Sequence, residues 1–210
     1  PRSTLFPYTT LFRSAGTGYY TALLARLVGP SGRVTAIEVD RDLAAFAARV
    51  LPEVLPDGPP VVVVADDGET WPRSEADVVY VSFGIAAPSP LWLDRLAIGG
   101  RLLFPLCLPR HAVSPHRAWH GAEGFGLLVT RHEQGYAARA LDACSFVYAD
   151  GPIRATRQDL DGLEAAFRHG GWREVRSLRR DAVDPARCWY AGKGWALCYD
   201  PPAERVGSRR

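Results

Sequence analysis

The feature that most constrains this chain is a glycine turn between two apolar segments. Two glycines stand one residue apart in the run Ala-Gly-Thr-Gly-Tyr-Tyr (residues 15–20), and an apolar-periodic segment follows over residues 21–28. Glycine tolerates backbone conformations that other residues avoid, so this pair predicts a tight turn that opens a helix. Beyond a Gly-Pro-Ser-Gly loop, residues 33–40 predict a buried strand that ends on an acidic side chain.

The turn and the acid that follows it have the spacing of a nucleoside site. Free N–H groups at a helix start face a ligand, and glycine lets that ligand lie close to the backbone. Glu38 follows Gly18 by about 20 residues, the separation at which an acid binds ribose hydroxyls in a β-α-β unit. Thr21 occupies the place of the third glycine in the dinucleotide fingerprint. We therefore predict a nucleoside cofactor site in which nicotinamide and flavin dinucleotides are disfavoured; a plain strand-to-helix connection is the alternative.

The first half of the chain alternates strands with helices. Residues 43–51 have helical spacing, and we expect this helix to end at Pro52. The β-branched run at residues 61–64 predicts a strand buried on both faces of a parallel sheet. The alternation predicts an α/β fold with a doubly wound, mostly parallel sheet. Later elements expected in this half are strands over residues 76–83 and 101–108 and a short helix over 90–96.

The second half predicts antiparallel strands and one amphipathic helix. Residues 125–132 and 136–148 alternate in polarity around a Glu-Gln-Gly turn, which indicates a hairpin. The helix expected over residues 157–170 ends at a pair of glycines. Two more strands are expected, over residues 172–178 and 195–199.

Two motifs in this chain resemble those of a known family. Residues 15–25, with Glu38 after them, resemble motif I and the acidic loop of class I S-adenosylmethionine-dependent methyltransferases, most closely the protein-L-isoaspartate O-methyltransferase branch. Asp66-Asp67-Gly68 is similar to the second cofactor motif of that branch, Gly-Asp-Gly, with Asp66 in place of the first glycine. The alternative for this tripeptide is an ordinary Asp-Gly turn.

The resemblance implies a Rossmann-like methyltransferase fold and S-adenosyl-L-methionine as the cofactor. An acid at the end of a strand can accept the adenine amino group, and a neighbouring glycine leaves space for the ring. By a weaker assignment, Ser82 and Phe83 would lie near the methyl group. The residues that the resemblance assigns to cofactor binding are Ala15, Gly16, Thr17, Gly18, Glu38, Val39, Asp67 and Gly68.

The implied activity is methyl transfer to a carboxylate of a protein or peptide substrate. Repair of isoaspartyl residues is the family's usual role, and some relatives with C-terminal extensions methylate aspartyl residues instead. A carboxylate is already an ionised nucleophile at neutral pH, so positioning replaces a strong general base, and we assign no catalytic residue. A nicotinamide-dependent oxidoreductase and a non-catalytic Rossmann-like binding module are the competing hypotheses.

The beginning of the chain does not fit the resemblance. Residues 4–14 resemble the translation of a widely used sequencing adapter, so we interpret residues 1–14 as an artefactual segment. The family pattern has an acid and a glycine where this chain has Phe12 and Ser14. We therefore expect a methyltransferase domain that lacks its natural first strand. Either the β-prone residues near 8–13 occupy the vacant slot, or the slot is left badly filled. Since the upstream substrate region is missing too, we expect this truncated chain to be inactive by itself.

These interpretations divide the chain into four segments. The predicted segments are an artefactual N-terminus over residues 1–14, the methyltransferase domain over 15–150, a small α+β extension over 151–200 and a disordered tail over 201–210.

Charge and hydropathy exclude two classes of partner. The chain has 25 lysines and arginines against 23 acidic residues, and Arg2 and Arg13 account for the excess, so the remainder is neutral. Neutrality argues against a nucleic-acid-binding surface. No apolar run approaches the roughly 18 residues that span a bilayer, so we expect a cytoplasmic protein with no membrane partner. The sequence leaves the oligomeric state undetermined.

Neither histidines nor cysteines predict a metal site. His111, His116 and His120 are close in sequence, but Pro115 interrupts any helix that could align them, and no carboxylate or cysteine stands beside them. We expect solvated loop histidines. The cysteines show no Cys-x-x-Cys spacing, so we expect buried free thiols. They are Cys107, Cys144, Cys188 and Cys198.

Overall fold

A computed structural model of the protein gives the placement of most of the chain. Within the part that it describes, no helix combines the length and the apolar character needed to span a membrane. The three clustered histidines and most of the predicted tail lie outside that part. The described residues are 9–13, 15–109, 121–148 and 156–202.

The chain forms two compact units. The first comprises residues 1–82 and 89–102, and the second comprises residues 83–88 and 103–210. The domain boundary expected after residue 150 stays a prediction.

The sheet of the first unit is built around the strand that precedes the glycine turn. The unit contains β1 (Thr9–Arg13), α1 (Tyr19–Val28), β2 (Arg33–Glu38), α2 (Arg41–Val54), β3 (Val61–Ala65), β4 (Ala76–Val81), α3 (Pro90–Asp94) and the first part of β5 (Leu96–Pro109). The strand order is β3-β2-β1-β4-β5. Central β1 pairs in parallel with β2 and with β4, and β2 pairs in parallel with β3. The doubly wound α/β fold is confirmed, and residues 9–13 occupy the central slot, which is the first of the two expected outcomes.

Helix α2 continues past the proline at which it was predicted to end. Asp40 caps its start, because the Asp40 carboxylate accepts hydrogen bonds from the backbone N–H groups of Asp42 and Leu43, at 2.9 and 3.0 Å. Pro52 lies in the last turn, where a missing N–H costs a single intrahelical hydrogen bond. The N–H of Leu55 still donates to the carbonyl of Leu51 at 3.1 Å, which closes the helix beyond Pro52. The predicted end at Pro52 was therefore wrong.

Strand β3 is an edge strand, not a strand buried on both faces. It lies at the end of the strand order, and Val62 is 51% exposed. A run of four valines predicts a strand, but it does not distinguish a central strand from an edge strand, because that depends on which neighbours pair with it. The expectation of burial on both faces was wrong for this reason.

The second unit is an antiparallel arrangement that one helix accompanies. It contains the end of β5, β6 (Gly121–His132), β7 (Gly135–Val147), α4 (Arg157–His169), β8 (Ser177–Arg179), β9 (Cys188–Ala191) and β10 (Ala196–Cys198). The hairpin β6–β7 and helix α4 are confirmed. Thr156 and Asp159 form a capping box at the start of α4, and Gly170 ends the helix.

Residues 172–178 do not form the single strand that was predicted. A 3₁₀ turn covers Trp172–Glu174, and the strand begins only at Ser177. The Trp172 ring stacks on the Phe125 ring, with centroids 4.6 Å apart and planes within 8°. The centroid of the Phe125 ring also lies 5.5 Å from that of the Trp189 ring, in an edge-to-face arrangement. Trp172 therefore belongs to an aromatic cluster and not to a strand, and strand β8 begins one turn later, at Ser177.

Two of the four cysteines are bonded to each other. Cys188 and Cys198 face each other in the antiparallel pair β9–β10 and form a disulfide. The expectation of a free thiol was wrong for this pair, because strand β9 was not predicted and the register that opposes the two residues could not be seen. Cys107 and Cys144 are free, the first buried and the second half-buried.

Substituting Gly124 should destabilise the second unit. A Cβ built at Gly124 runs into the carbonyl oxygen of Leu106, whereas one at Gly126 meets only the Leu141 side chain, at 3.5 Å. We expect Gly124→Ala to lower the free energy of unfolding by about 1–3 kcal/mol through overpacking. Urea titration followed by circular dichroism measures it, and Gly126→Ala is the matched control. Equal stability of the two variants would contradict this packing.

Candidate functional site

The predicted site lies at the carboxyl edge of the parallel strands of the first unit. The glycine turn follows β1, Glu38 ends β2, and the Asp-Asp-Gly tripeptide follows β3. Because the chain runs from β1 outward to β3 and then returns to β4 on the other side of β1, the strand order reverses at this edge. In open α/β sheets, ligands bind at such a reversal, outside the carboxyl ends of the strands.

The glycine turn uses the conformational freedom of both glycines. Gly16 has a φ of +51° and Gly18 a φ of +91°, both in the left-handed region. The N–H of Gly18 donates to the carbonyl of Ala15 at 2.8 Å, and the N–H of Ala15 donates to the carbonyl of Ile37 at 3.1 Å. A Cβ at Gly18 would lie 3.2 Å from Cγ of Leu51 on α2. The second glycine is therefore required by backbone conformation and by helix packing together.

The Glu38 carboxylate connects this turn to the end of β2. Its Oε2 accepts a hydrogen bond from the N–H of Gly16 at 2.8 Å, and its Oε1 accepts one from the N–H of Asp40 at 3.1 Å. The side chain is only 4% exposed. A buried carboxylate has to be hydrogen-bonded, and these two backbone donors satisfy that requirement while fixing the direction of the group.

The turn after β3 is attached to the same acid through the backbone. The N–H of Asp66 donates to the carbonyl of Glu38 at 3.0 Å. Asp67 caps the following 3₁₀ turn, because its Oδ1 accepts the N–H of Glu69 at 2.9 Å. All three predicted motifs thus meet at one edge of the sheet.

Trp92 is a site residue that the sequence analysis missed. Its ring on α3 is fully buried, and its indole N–H donates to the carbonyl of Gly68 at 3.2 Å. The only available signal was a proline at the first position of a short helix, which predicts a helix start but not the direction of a tryptophan two residues later. Trp92 therefore supports the Asp67-Gly68 turn from the side of α3.

The remaining predicted residues lie around this centre. Thr17 is exposed beside the glycine turn, and Val39 is 73% exposed next to Glu38. Thr21 is fully buried in the first turns of α1. Ser82 directly follows β4 at the same edge, whereas Phe83 belongs to the second unit. Contact of any of these residues with a cofactor stays a prediction.

Two thiols and two phenols described in the second unit have raised pKa values. Burial raises the pKa of both free thiols, Cys107 and Cys144. Burial also raises the pKa of Tyr148, and raises that of Tyr190 to about 12. These groups are protonated at neutral pH, and a thiol is a weak nucleophile in that form. A groove of about 940 Å³ lies beside Cys144, whose thiol is protonated at neutral pH.

The strand order and the site edge together define a Rossmann-like fold, which two solved structures share. A solved protein-L-isoaspartate O-methyltransferase shares the fold over 84% of this chain and 50% of its own, with a TM-score of 0.56 and 22% identity. A Plasmodium falciparum structure described as a candidate enzyme of the same name, in complex with S-adenosyl-L-homocysteine, matches 68% of this chain and 66% of its own. Its TM-score is 0.51 and its identity 16%.

Sequence comparison matches part of the chain to a family model. Residues 12–114 match the model of the protein-L-isoaspartate(D-aspartate) O-methyltransferase family, which confirms the resemblance inferred from the motifs. The protein-L-isoaspartate O-methyltransferase of Aeropyrum pernix is 39% identical over 97 residues, which are 45% of this chain and 37% of that protein. Protein-L-isoaspartate O-methyltransferase 1 of Archaeoglobus fulgidus is 35% identical over 94 residues, which are 43% of this chain and 42% of that protein. The chain spans less than half the length of these relatives.

Replacing Trp92 with phenylalanine should destabilise the Asp67-Gly68 turn that the indole contacts. Phenylalanine lacks the N–H that the Gly68 carbonyl accepts and leaves part of the indole volume empty. We expect Trp92→Phe to lower the free energy of unfolding by about 1–3 kcal/mol. Chemical denaturation measures the change. Tyr19→Phe, which alters a ring that is 66% exposed, is the control and should have no effect; an equally small effect at Trp92 would show that its hydrogen bond does not support the turn.

Proposed function

We propose that this protein binds S-adenosyl-L-methionine at the carboxyl edge of its first unit and belongs to an enzyme that methylates carboxyl groups of isoaspartyl residues in proteins. The observation that carries the proposal is the buried Glu38 carboxylate, which accepts the N–H of Gly16 at 2.8 Å at the point where the strand order reverses. The family match over residues 12–114 supports the same function.

The residues at this edge fit the parts of that cofactor. A carboxylate has about four lone-pair sites, so the hydrogen bonds from Gly16 and Asp40 are compatible with ribose hydroxyls at Glu38 as well. The left-handed glycines leave room for a ligand against the backbone of residues 15–18. The Asp67 carboxylate would accept a hydrogen bond from the adenine amino group, and Gly68 would leave space for the ring. Bound S-adenosylmethionine would supply a methyl group on a sulfonium centre.

The protein's own contribution is to bind and to orient. A substrate carboxylate is ionised at neutral pH, so no general base has to remove a proton from it. Holding the two reacting groups in line then supplies most of the catalysis.

Two kinds of residue could supply the carboxylate that accepts the methyl group. Isoaspartyl and aspartyl residues carry the same carboxylate and differ in the position of the backbone. With the family's N-terminal region restored ahead of residue 15, incubation with isoaspartyl and aspartyl versions of one peptide, followed by mass spectrometry of the methyl ester, distinguishes them. We expect the isoaspartyl version to be the better substrate; preference for the aspartyl version would assign the protein to peptide modification instead.

The competing hypotheses predict different ligands. Thr21 is fully buried where a dinucleotide site places its third glycine, which disfavours nicotinamide cofactors. A thermal shift with NADH and none with S-adenosylhomocysteine would favour an oxidoreductase. A binding module without a cofactor would respond to neither compound.

Removing the charge of Glu38 should weaken cofactor binding. In Glu38→Gln one carboxylate oxygen becomes an amide nitrogen, which cannot accept the backbone N–H that it faces. We expect the affinity for S-adenosylhomocysteine to fall at least about tenfold, because a hydrogen bond to a charged group contributes about 1.5–3 kcal/mol. Isothermal titration calorimetry measures the affinity. Glu53→Gln, an exposed substitution on α2, is the matched control, and no binding by the folded unsubstituted protein would refute the proposed cofactor.

A further inference from the structure

Asp66 gathers the donors of the loop that follows it. Its Oδ2 accepts a hydrogen bond from the indole N–H of Trp71 at 3.0 Å and one from the guanidinium of Arg73 at 3.2 Å. The hydroxyl oxygen of Thr70 lies 3.4 Å from the same oxygen. The other oxygen, Oδ1, accepts the N–H of Asp67 at 2.8 Å. One carboxylate therefore contacts four residues within a single short loop.

The same loop is closed by its own backbone. The N–H of Thr70 donates to the carbonyl of Asp67 at 3.1 Å, and the N–H of Trp71 donates to the carbonyl of Gly68 at 3.3 Å. Thr70 adds a hydroxyl hydrogen bond to the Asp67 carbonyl at 2.8 Å. These bonds form one turn of 3₁₀ helix, and the Asp66 carboxylate bridges the residues on either side of it.

The chemistry of the contacts indicates which of them matters most. Arg73 is largely exposed and Asp66 is partly exposed, and such surface ion pairs contribute little to stability. Trp71 is half-buried, and the Arg73 guanidinium lies over its ring at 4.6 Å. The indole hydrogen bond of Trp71, followed by the N–H of Asp67, lowers the pKa of Asp66, so the group is an ionised acceptor at neutral pH.

We propose that Asp66 is a positioning residue, which sets the turn carrying Asp67 and Gly68 against the cofactor by holding the Trp71 indole. This inference rests on the proposed function and goes beyond it, because the family pattern has a glycine at this position and a glycine can hold no such contact. Trp92 supports the Gly68 carbonyl from α3. Asp66 holds the opposite end of the same loop, and small displacements of a binding group weaken the contacts that it makes.

The test compares Asp66→Ala, which removes both acceptor oxygens, with Asp66→Asn, which keeps one oxygen for the indole and loses the one that accepts the N–H of Asp67. Isothermal titration measures the affinity for S-adenosylhomocysteine. Tryptophans labelled with 5-fluorotryptophan give ¹⁹F resonances, and the Trp71 signal is assigned from Trp71→Phe. Asp57→Ala, at an exposed loop position of the same unit, is the control.

We expect Asp66→Ala to bind S-adenosylhomocysteine about tenfold more weakly and to move the Trp71 resonance. Asp66→Asn should lose less affinity than Asp66→Ala and keep that resonance closer to its original position, because its single oxygen can still accept the indole N–H. Circular dichroism checks that each variant is folded, and the Asn variant decides the question if the Ala variant does not fold.

Two results overturn the proposal in distinguishable ways. If the unsubstituted protein binds the ligand and Asp66→Ala binds it equally well, or if Asp66→Asn loses as much affinity as Asp66→Ala, Asp66 does not position the turn through its acceptor oxygen. If the folded unsubstituted protein does not bind the ligand, the proposed function fails and this inference fails with it.

Discussion

The site depends on the buried carboxylate of Glu38, whose two oxygens each accept a hydrogen bond from a backbone N–H group. Burying an ionised group is costly unless it is hydrogen-bonded, and Glu38 meets this requirement with the N–H groups of Gly16 and Asp40. Those two bonds attach the turn after β1 to the loop after β2. The carbonyl of Glu38 then accepts the N–H of Asp66, which attaches the turn after β3 as well. Three loops from three parallel strands thus take their relative positions from a single residue, and the proposed cofactor site is the surface that they share.

Features set by local chemistry could be predicted from the sequence, and features set by side-chain direction could not. The paired glycines permit the left-handed backbone that both adopt, and one helix and one strand fix the distance from Gly18 to Glu38. The Trp92 hydrogen bond, in contrast, joins residues 24 positions apart through the packing of α3. The donors that meet at Asp66 are close in sequence, but a pattern of residue types does not show where an indole points. Sequence motifs therefore predict where the ligand site lies, whereas the side-chain contacts that hold it in place depend on the packing of the folded chain.

Strand burial and cysteine pairing failed for a related reason. Both depend on which strands become neighbours. The valines of β3 have the same sequence whether the strand lies at the centre or at the edge of a sheet. Cys188 and Cys198 are opposed only because β9 and β10 pair in one register. The central strand of the first unit could be predicted, by contrast, because its place between two strands was already fixed. Residues 9–13 pair with β2 on one side and with β4 on the other. Short β-prone segments satisfy such a slot because its requirement is mainly for backbone hydrogen bonds and apolar bulk.

The central claim is that the cofactor lies at the loops that Glu38 joins. An amide NMR titration with S-adenosylhomocysteine tests it most directly, because each backbone N–H of the site reports separately. The account predicts that the largest shift changes occur at Gly16, Gly18, Glu38 and Gly68, and that they saturate together with one dissociation constant. Changes confined to the groove beside Cys144 in the second unit, or no changes in a folded protein, would contradict it.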